Sequence, residues 1–452
     1  MTARREDDDS TTATTTTATT ALEDGYREWA KCESADVRPL SAGGRTVRLL
    51  SYNFLIRPPP ITYNGNDYKD ERIAALVGAH LAHYDIVCLQ EVFGLLSTRR
   101  RRLIAGAARV AGLVHSVHSP GAFPAVTDGG CVVLSRYPIV AHASVDYACG
   151  MNADMLARKG ALYARVEVRP GTCMHVFTTH LQADYKKNVG RQRGGNAPNE
   201  RMRRAQLRTL AAFVRRHVDP CLAAHGDWPI VLLGDLNINS RRAPADGADS
   251  AEYRAMLAVL ARGGLGARDL LAECHGGTHP VTICDSVVLP DGSLQSTEPQ
   301  LTPHNEFHWR RSIDYILLLR RDPSLVGTTS PDYDESEEED DDYNSGCCCC
   351  CCCRGLCGRG GHGDAQAQHK KDDGDAAAVG TPSAAEATGL LSEDAGSSSS
   401  ATASAAATSL PPAVHPVEGV CHTVVEPFDA HRSDRPYNHL SDHYGVRSLW
   451  TV

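Results

Sequence analysis

Asn53, Glu91, His180, Asp235, Asn237, Asp314, Asp442 and His443 each fall at an end of an apolar run, read here as the downstream end of a strand. Strand ends and the loops after them form the ligand crevice of α/β sheets. Any one of these residues alone is weak evidence, since an asparagine caps turns and a lone histidine usually packs. Their recurrence on separate elements is harder to obtain by chance. Glu91 and Asn53 offer hard oxygen ligands of the kind Mg²⁺ accepts, and Mn²⁺ suits the same set. His180 and His443 can exchange protons or hold a phosphoryl oxygen near neutral pH, and Asp314 is available to fix a histidine tautomer. A metal, a base–carboxylate pair and several amide and imidazole donors together describe attack of water on a phosphoester. Outside residues 331–415 no Cys or His pair at zinc spacing competes, and no Ser or Cys nucleophile elbow.

The elements that must position these groups follow from periodicity. Arg48–Asn53 and Asp85–Glu91 read as buried strands, with further strands at Gly130–Arg136, Leu162–Val168, Met174–Leu181, Pro229–Asn237 and Ser312–Leu319. Ile73, Leu76, Val77, Leu81 and Tyr84 recur at helical spacing, which predicts one amphipathic helix over Asp70–Tyr84. Helices are also predicted near Asn199–His217 and Ala251–Ala261. Strand–helix–strand units mixed with strand pairs imply an α/β layered domain with mixed sheets.

The chain has 452 residues, 42% of them hydrophobic, with 46 Lys+Arg against 55 Asp+Glu and a formal charge of −9. Residues 331–415 hold 16 acidic and 4 basic side chains, a balance of −12, so the rest of the chain carries +3, the difference between the two. That excludes a uniformly basic nucleic-acid binder. Residues 331–415 pass from an acidic block through Cys347–Cys353 to an Ala/Ser/Thr stretch, a composition that builds no core. Residues 1–44 are equally low in complexity. The expected organisation is a disordered tail over 1–44 and one catalytic domain over 45–452, interrupted by a disordered insertion at 331–415. Eight of the 17 cysteines lie in or beside the Cys347–Cys353 run. The others, several within apolar stretches, read as buried free thiols of a reducing compartment. With no secretory signal and no membrane span read from the sequence, the expectation is a cytoplasmic protein.

Ser51-Tyr-Asn53, Leu89-Gln-Glu-Val92, Thr179-His-Leu181, Gly234-Asp-Leu-Asn237, Ile313-Asp-Tyr315 and Ser441-Asp-His443 resemble the ordered motif series of the endonuclease/exonuclease/phosphatase superfamily. Within it, Asp85–Phe93, Thr179–Tyr185 with Gln206 downstream, and the Asp-x4-Lys-Gly stretch Asp154–Gly160 resemble neutral sphingomyelinases. The match spans about 47–325 and 419–448. The resemblance implies a four-layer α/β sandwich with two mixed sheets and Mg²⁺-dependent hydrolysis of sphingomyelin to ceramide and phosphocholine. It further implies that Glu91 binds the metal, with Asn53 and Asp442 beside it. His443 would be the base held by Asp314, and Asp235, Asn237 and His180 would surround the phosphoryl group. Asp154 and Lys159 would pair and gate the entrance. Two features depart from the family: the hydrophobic segments of animal members are missing, and the long insertion is foreign to the core.

The alternatives are a nuclease, a deadenylase or an inositol polyphosphate phosphatase of the same superfamily, and, outside enzymes, an inactive membrane scaffold. Ser312-Ile-Asp-Tyr315 stands where inositol 5-phosphatases usually carry a Trp-Cys-Asp-Arg-type stretch. Arg99–Arg102 is the one dense basic run and reads as a solvated helix face. The expected partner is therefore sphingomyelin at a membrane surface, with no nucleic acid and no obligate protein partner. For Cys347–Cys353 the readings are a functionless repeat expansion, S-palmitoylation that anchors the protein peripherally, and soft-metal binding. Trp309 and Phe307 read as core aromatics before they read as a choline cage.

Overall fold

Alternation along the strands decides the architecture. The computed structural model describes residues 46–185, 197–225, 228–241, 249–307, 309–328, 415–416, 422–430 and 435–451. The chain divides into one unit of 1–347 with 411–452 and a second of 348–410, and all described residues belong to the first. The expected tail over 1–44 and all but His415 of the expected insertion, poly-cysteine run included, lie outside the described residues.

β1 (Thr46–Ile56) and β2 (Ile86–Val92) form a parallel pair in one sheet; β7 (Thr172–His180) and β8 (Ile230–Asp235) form another in a second sheet. The first sheet adds β3 (His115–His118), β4 (Val132–Ser135), β13 (His415–Pro416), β14 (Thr423–Glu426) and β15 (Gly445–Thr451). The second adds β5 (Ile139–Asp146), β6 (Gly160–Arg169), β9 (Leu265–Asp269) and β12 (Asp314–Arg321). Every other pairing is antiparallel, so both sheets are mixed, and β10 (Ser286–Val288) and β11 (Leu294–Ser296) form a separate two-stranded sheet.

Side chains alternate faces along a strand. In β8, Ile230 and Leu232 face the helices while Val231 and Leu233 face the other sheet. In β2, Val87 and Leu89 face helices and Ile86 and Cys88 face inward. α1 (Lys69–Ala75) and α2 (Arg99–Ala111) contribute Ile73, Leu103 and Ala107 to the outer core of the first sheet. α3 (Ala197–His225) and α4 (Ala251–Arg262) cover the second through Leu210, Val214, Met256 and Val259. The order helix, sheet, sheet, helix is the four-layer sandwich.

Three expectations are corrected. The helix predicted over Asp70–Tyr84 is α only to Ala75; a π-turn, Leu76–His80, and a 3-10 turn, Leu81–His83, complete it while keeping Leu76 and Leu81 buried. The helix from Ala197 runs to His225, through Pro220. Asp314, Asp442 and His443 stand at the upstream ends of their strands. β12 and β15 run antiparallel to β8 and β1, so their starts lie level with the ends of those strands and the same crevice receives them.

Among the described residues, Cys149 is exposed and Cys274 half-buried, against five buried free thiols. No helix among them is long and apolar enough to cross a membrane.

Candidate active site

The inner face of the sandwich turns polar at one edge. Asn53 continues the inward series Val47, Leu49, Ser51; His180 continues Met174, Val176, Thr178; Asp235 continues Val231, Leu233. Register aligns them further: His180 pairs with Asp235, and Asp235 with Asp314, giving three polar residues in a row across β7, β8 and β12. Gly234 permits this row. A Cβ there would lie 2.1 Å from the Thr179 carbonyl oxygen, and its φ is +146°.

Glu91 follows another route. Alternation puts Gln90 inside, where its Nε2 donates to Thr178 Oγ1 at 3.0 Å, and would send Glu91 outward. A left-handed backbone at Glu91 (φ 56°) breaks the alternation, and Asn53 Nδ2 reaches Glu91 Oε1 at 3.2 Å. Asn237 (φ 52°) breaks it after β8 in the same way. Such φ values in non-glycine residues cost about 1–2 kcal/mol and gather at functional positions.

Besides the Gln90–Thr178 bond, two hydrogen bonds join the sheets at the crevice. Asn53 Nδ2 also donates to Asp235 Oδ2 (3.0 Å), and His443 Nδ1 meets Asp314 Oδ2 (2.9 Å). The second imidazole nitrogen, Nε2, lies 3.8 Å from Asp235 Oδ2. Asp235 is otherwise held by the Asn237 backbone N–H (2.9 Å) and has His180 Nε2 at 3.6 Å. Asp154 and Lys159 pair at 2.8 Å, both buried. Lys159 Nζ also donates to the Leu181 carbonyl (2.7 Å) and stands 3.3 Å from His180 Nε2. An ammonium facing Nε2 makes that nitrogen an acceptor and places the His180 proton on Nδ1. Thus Lys159 belongs to the wall of the crevice, directly behind His180.

The charges are strongly perturbed. Burial, then Asp314, pushes the Asp235 carboxyl up to about 7, against the pull of His443 and Asn53. Burial alone would lower His443, but Asp314, with Asp442 and Asp235, outweighs it and raises the imidazole to about 10. Burial, then Lys159 and His443, holds His180 well below its ordinary value. Glu91 is raised by burial and by Asp442, while Arg57 opposes.

Asp235, Asp314 and His443 present ligand atoms within 4.8 Å of one another. Two of these atoms already bond each other, so we read the trio as a proton-sharing set. Glu91 and Asp442 are better placed for a metal: hard carboxylates close enough to repel, with few donors, suit a divalent cation. Asn53 as oriented spends its Oδ1 on the Leu55 N–H and its amide hydrogens on two carboxylates, so it spaces the carboxylates.

Several positioning residues escaped the sequence reading. The Thr282 hydroxyl donates to Asp314 Oδ2 (2.7 Å) and accepts from the backbone N–H groups of Ile313 and Asp314 (3.0 and 3.3 Å), which fixes its direction. Nothing around Pro280-Val-Thr-Ile283 announces it. Arg72, fully buried, donates to the carbonyls of Asp67, Phe54, Leu55 and Leu440 at 2.7–2.9 Å, tying the end of β1 to the segment before Asp442. Its signal was a charge on the buried stripe of a helix. Arg203 does the same for the loop after β7, through the Gln182 carbonyl, Asp184 and Glu252.

Other expectations resolve plainly. Arg99 and Arg102 bind Asp70, and Arg100 binds Asp128. Trp309 and Phe307 are half-buried, and the Arg311 guanidinium lies 4.0 Å from the Trp309 ring centre, covering a face a choline would need.

Comparison with known proteins places this crevice in context. Residues 50–331 match the family model described as Endonuclease/Exonuclease/phosphatase family. A sphingomyelinase from Dictyostelium discoideum is 28% identical over 398 residues, covering 62% of this chain and 85% of the relative. A sphingomyelinase C from Bacillus cereus is 26% identical over 227 residues, covering 48% of this chain and 63% of the relative's length. Among solved structures, a double mutant of beta toxin from Staphylococcus aureus with bound magnesium ions aligns at TM-score 0.47 and 16% identity, over 89% of this chain and 99% of its own.

Proposed function

The chain belongs to the endonuclease/exonuclease/phosphatase family and hydrolyses phosphodiester bonds, and we propose that its substrate is sphingomyelin, cleaved to ceramide and phosphocholine. The observation that carries the reaction type is the His443–Asp314 pair facing Asp235 across the two sheets. The likeness to the Dictyostelium sphingomyelinase, over most of that relative's length, supports the substrate.

With its Nδ1 held by Asp314, His443 Nε2 takes a proton from water when neutral. The carboxylates that raise the imidazole to about 10 keep that form scarce until a cation held by Glu91 and Asp442 offsets them. The water oxygen bonds to phosphorus as the bond from phosphorus to the ceramide oxygen breaks. Asp235, raised to about 7, holds a proton near neutrality and gives it to the departing oxygen. The 3.8 Å between His443 Nε2 and Asp235 lets the proton return afterwards. Asn237 and His180 border the phosphoryl group. Lys159, with Asp154, backs His180 and gates the approach to it. A Mg²⁺ or Mn²⁺ ion held by Glu91 and Asp442, with Asn53 alongside, supplies positive charge that offsets both the carboxylates around His443 and the charge added to the phosphoryl oxygens. On this reading the working protein is peripherally associated with a membrane surface.

Sphingomyelin vesicles, single-stranded DNA and an inositol polyphosphate, offered side by side with Mg²⁺, test it. Hydrolysis of the first alone is expected, lost on chelation and restored only at higher Mg²⁺ in Glu91→Gln. Hydrolysis of DNA or the inositol phosphate alone overturns the substrate and leaves the reaction class.

A further inference from the structure

Two loops beside His180 form a patch that the chemistry above does not use. Phe123 and Val126, on one loop, are 87% and 55% exposed; Met155 and Leu156, on the other, are 47% and 49% exposed. In a chain with 22% charged residues, 119–127 carries none, while Met155 and Leu156 stand between Asp154 and Arg158. Contiguous apolar patches of this kind mark interaction surfaces.

The loops are stitched together before any partner arrives. The backbone N–H groups of Val126 and Thr127 donate to the Leu156 carbonyl (3.0 and 2.9 Å), and Arg158 N–H to the Thr127 carbonyl (2.9 Å). Arg158 Nη1 also donates to the Gly121 carbonyl (2.7 Å). The nearby charges cancel in pairs: Arg158 with Asp146 at 2.6 Å, Lys159 with Asp154 at 2.8 Å. An apolar patch whose flanking charges are internally paired complements a surface without net charge, and a zwitterionic bilayer is such a surface.

We infer that Phe123, Val126, Met155 and Leu156 dock this protein into the headgroup–acyl boundary of a zwitterionic lipid bilayer. The inference rests on the sphingomyelin reading for the choice of occupant. Continuity with the site supports that choice. Asp154 lies between the exposed residues and the crevice, accepting from Lys159 and from the Ala183 backbone N–H (2.8 Å each), and Lys159 touches His180. Docking at the patch therefore brings the His180 wall to the depth of the phosphoester.

The test separates binding from turnover. The wild-type chain and Phe123→Ser/Leu156→Ser are sedimented with phosphatidylcholine–sphingomyelin vesicles in chelator, and both are assayed with Mg²⁺ on water-soluble p-nitrophenylphosphorylcholine. Vesicle partitioning is expected to fall about tenfold or more, with hydrolysis of the soluble ester within about twofold of wild type. Phe123→Trp emission should shift to the blue on adding the same vesicles. Unchanged partitioning in the double variant, or an unshifted tryptophan, overturns the surface even if sphingomyelin is the substrate. Loss of a dimer in the variant, with no vesicle binding by wild type, overturns it too. If partitioning falls but neither protein hydrolyses a choline ester, the surface stands and the substrate reading falls.

Discussion

At the scale of single residues, what matters is how each ionisable group is oriented. Asp314 Oδ2 receives both His443 Nδ1 and the Thr282 hydroxyl, and Thr282 is itself oriented by two backbone N–H groups. Removing the hydroxyl while keeping the shape frees the carboxylate to rotate away from the imidazole. Thr282→Val is therefore expected to lower kcat roughly 10- to 100-fold with KM little changed, and Thr282→Ser to retain most of the rate. Steady-state kinetics on a soluble substrate decide it; equal losses in both variants would show that packing matters and the hydrogen bond does not. Far from the site, burial, then Arg165 and His217, lowers His175 to about 4. Its folded form thus binds a proton less readily than the ordinary histidine at 6.5. The stability this represents, up to about 3 kcal/mol, is present above pH 6.5 and lost as pH falls toward 4. Denaturant melts at pH 7.5 and 5 should show that loss, and His175→Gln should flatten it.

At the scale of elements, each sheet has an arginine on its helical layer that pins a site-bearing loop. Arg72 replaces missing backbone partners with four carbonyl contacts, so Arg72→Leu leaves those oxygens buried and unpaired. A stability loss of about 3–5 kcal/mol is expected, read by denaturant unfolding. A loss below about 1 kcal/mol would mean that water replaces the guanidinium. The strands were legible because both of their faces are covered, so each reads as a continuous apolar run: Ile230–Asp235 and Ile86–Val92 fall where such runs end in polar residues. Direction was not legible. Asp314 opens its strand and His443 precedes its own, and only antiparallel pairing with β8 and β1 brings them to the ends where Asp235 and Asn53 stand. The π-turn at Leu76–His80 was equally invisible, because it preserves the same buried side chains that an α-helix would bury.

At the scale of the molecule, the site exists only where two sheets meet, so its members come from across the sequence: Asn53 and Asp235 are 182 residues apart, and Asp314 and His443 are 129 apart. Motif order made the residue set readable; the pairing of groups across the sheets was not. Residues 331–415 separate β12 from the strand that follows His443, and 348–410 are a separate unit whose Cys-, Gly-, Ala- and Ser-rich composition builds no core. Replacing 348–410 by a short flexible linker is therefore expected to leave the thermal midpoint and hydrolysis of a soluble phosphodiester near those of the full chain. A large loss of both would show that this segment holds the core together. Sphingomyelin hydrolysis is the proposed reaction, with His443 as the base. It is tested most directly by phosphocholine release from sphingomyelin vesicles in Mg²⁺, comparing the wild-type chain with His443→Ala. Release by wild type and a loss of about 10²- to 10⁴-fold in the variant are expected of that reaction. No release by wild type, or equal release by both, would contradict it.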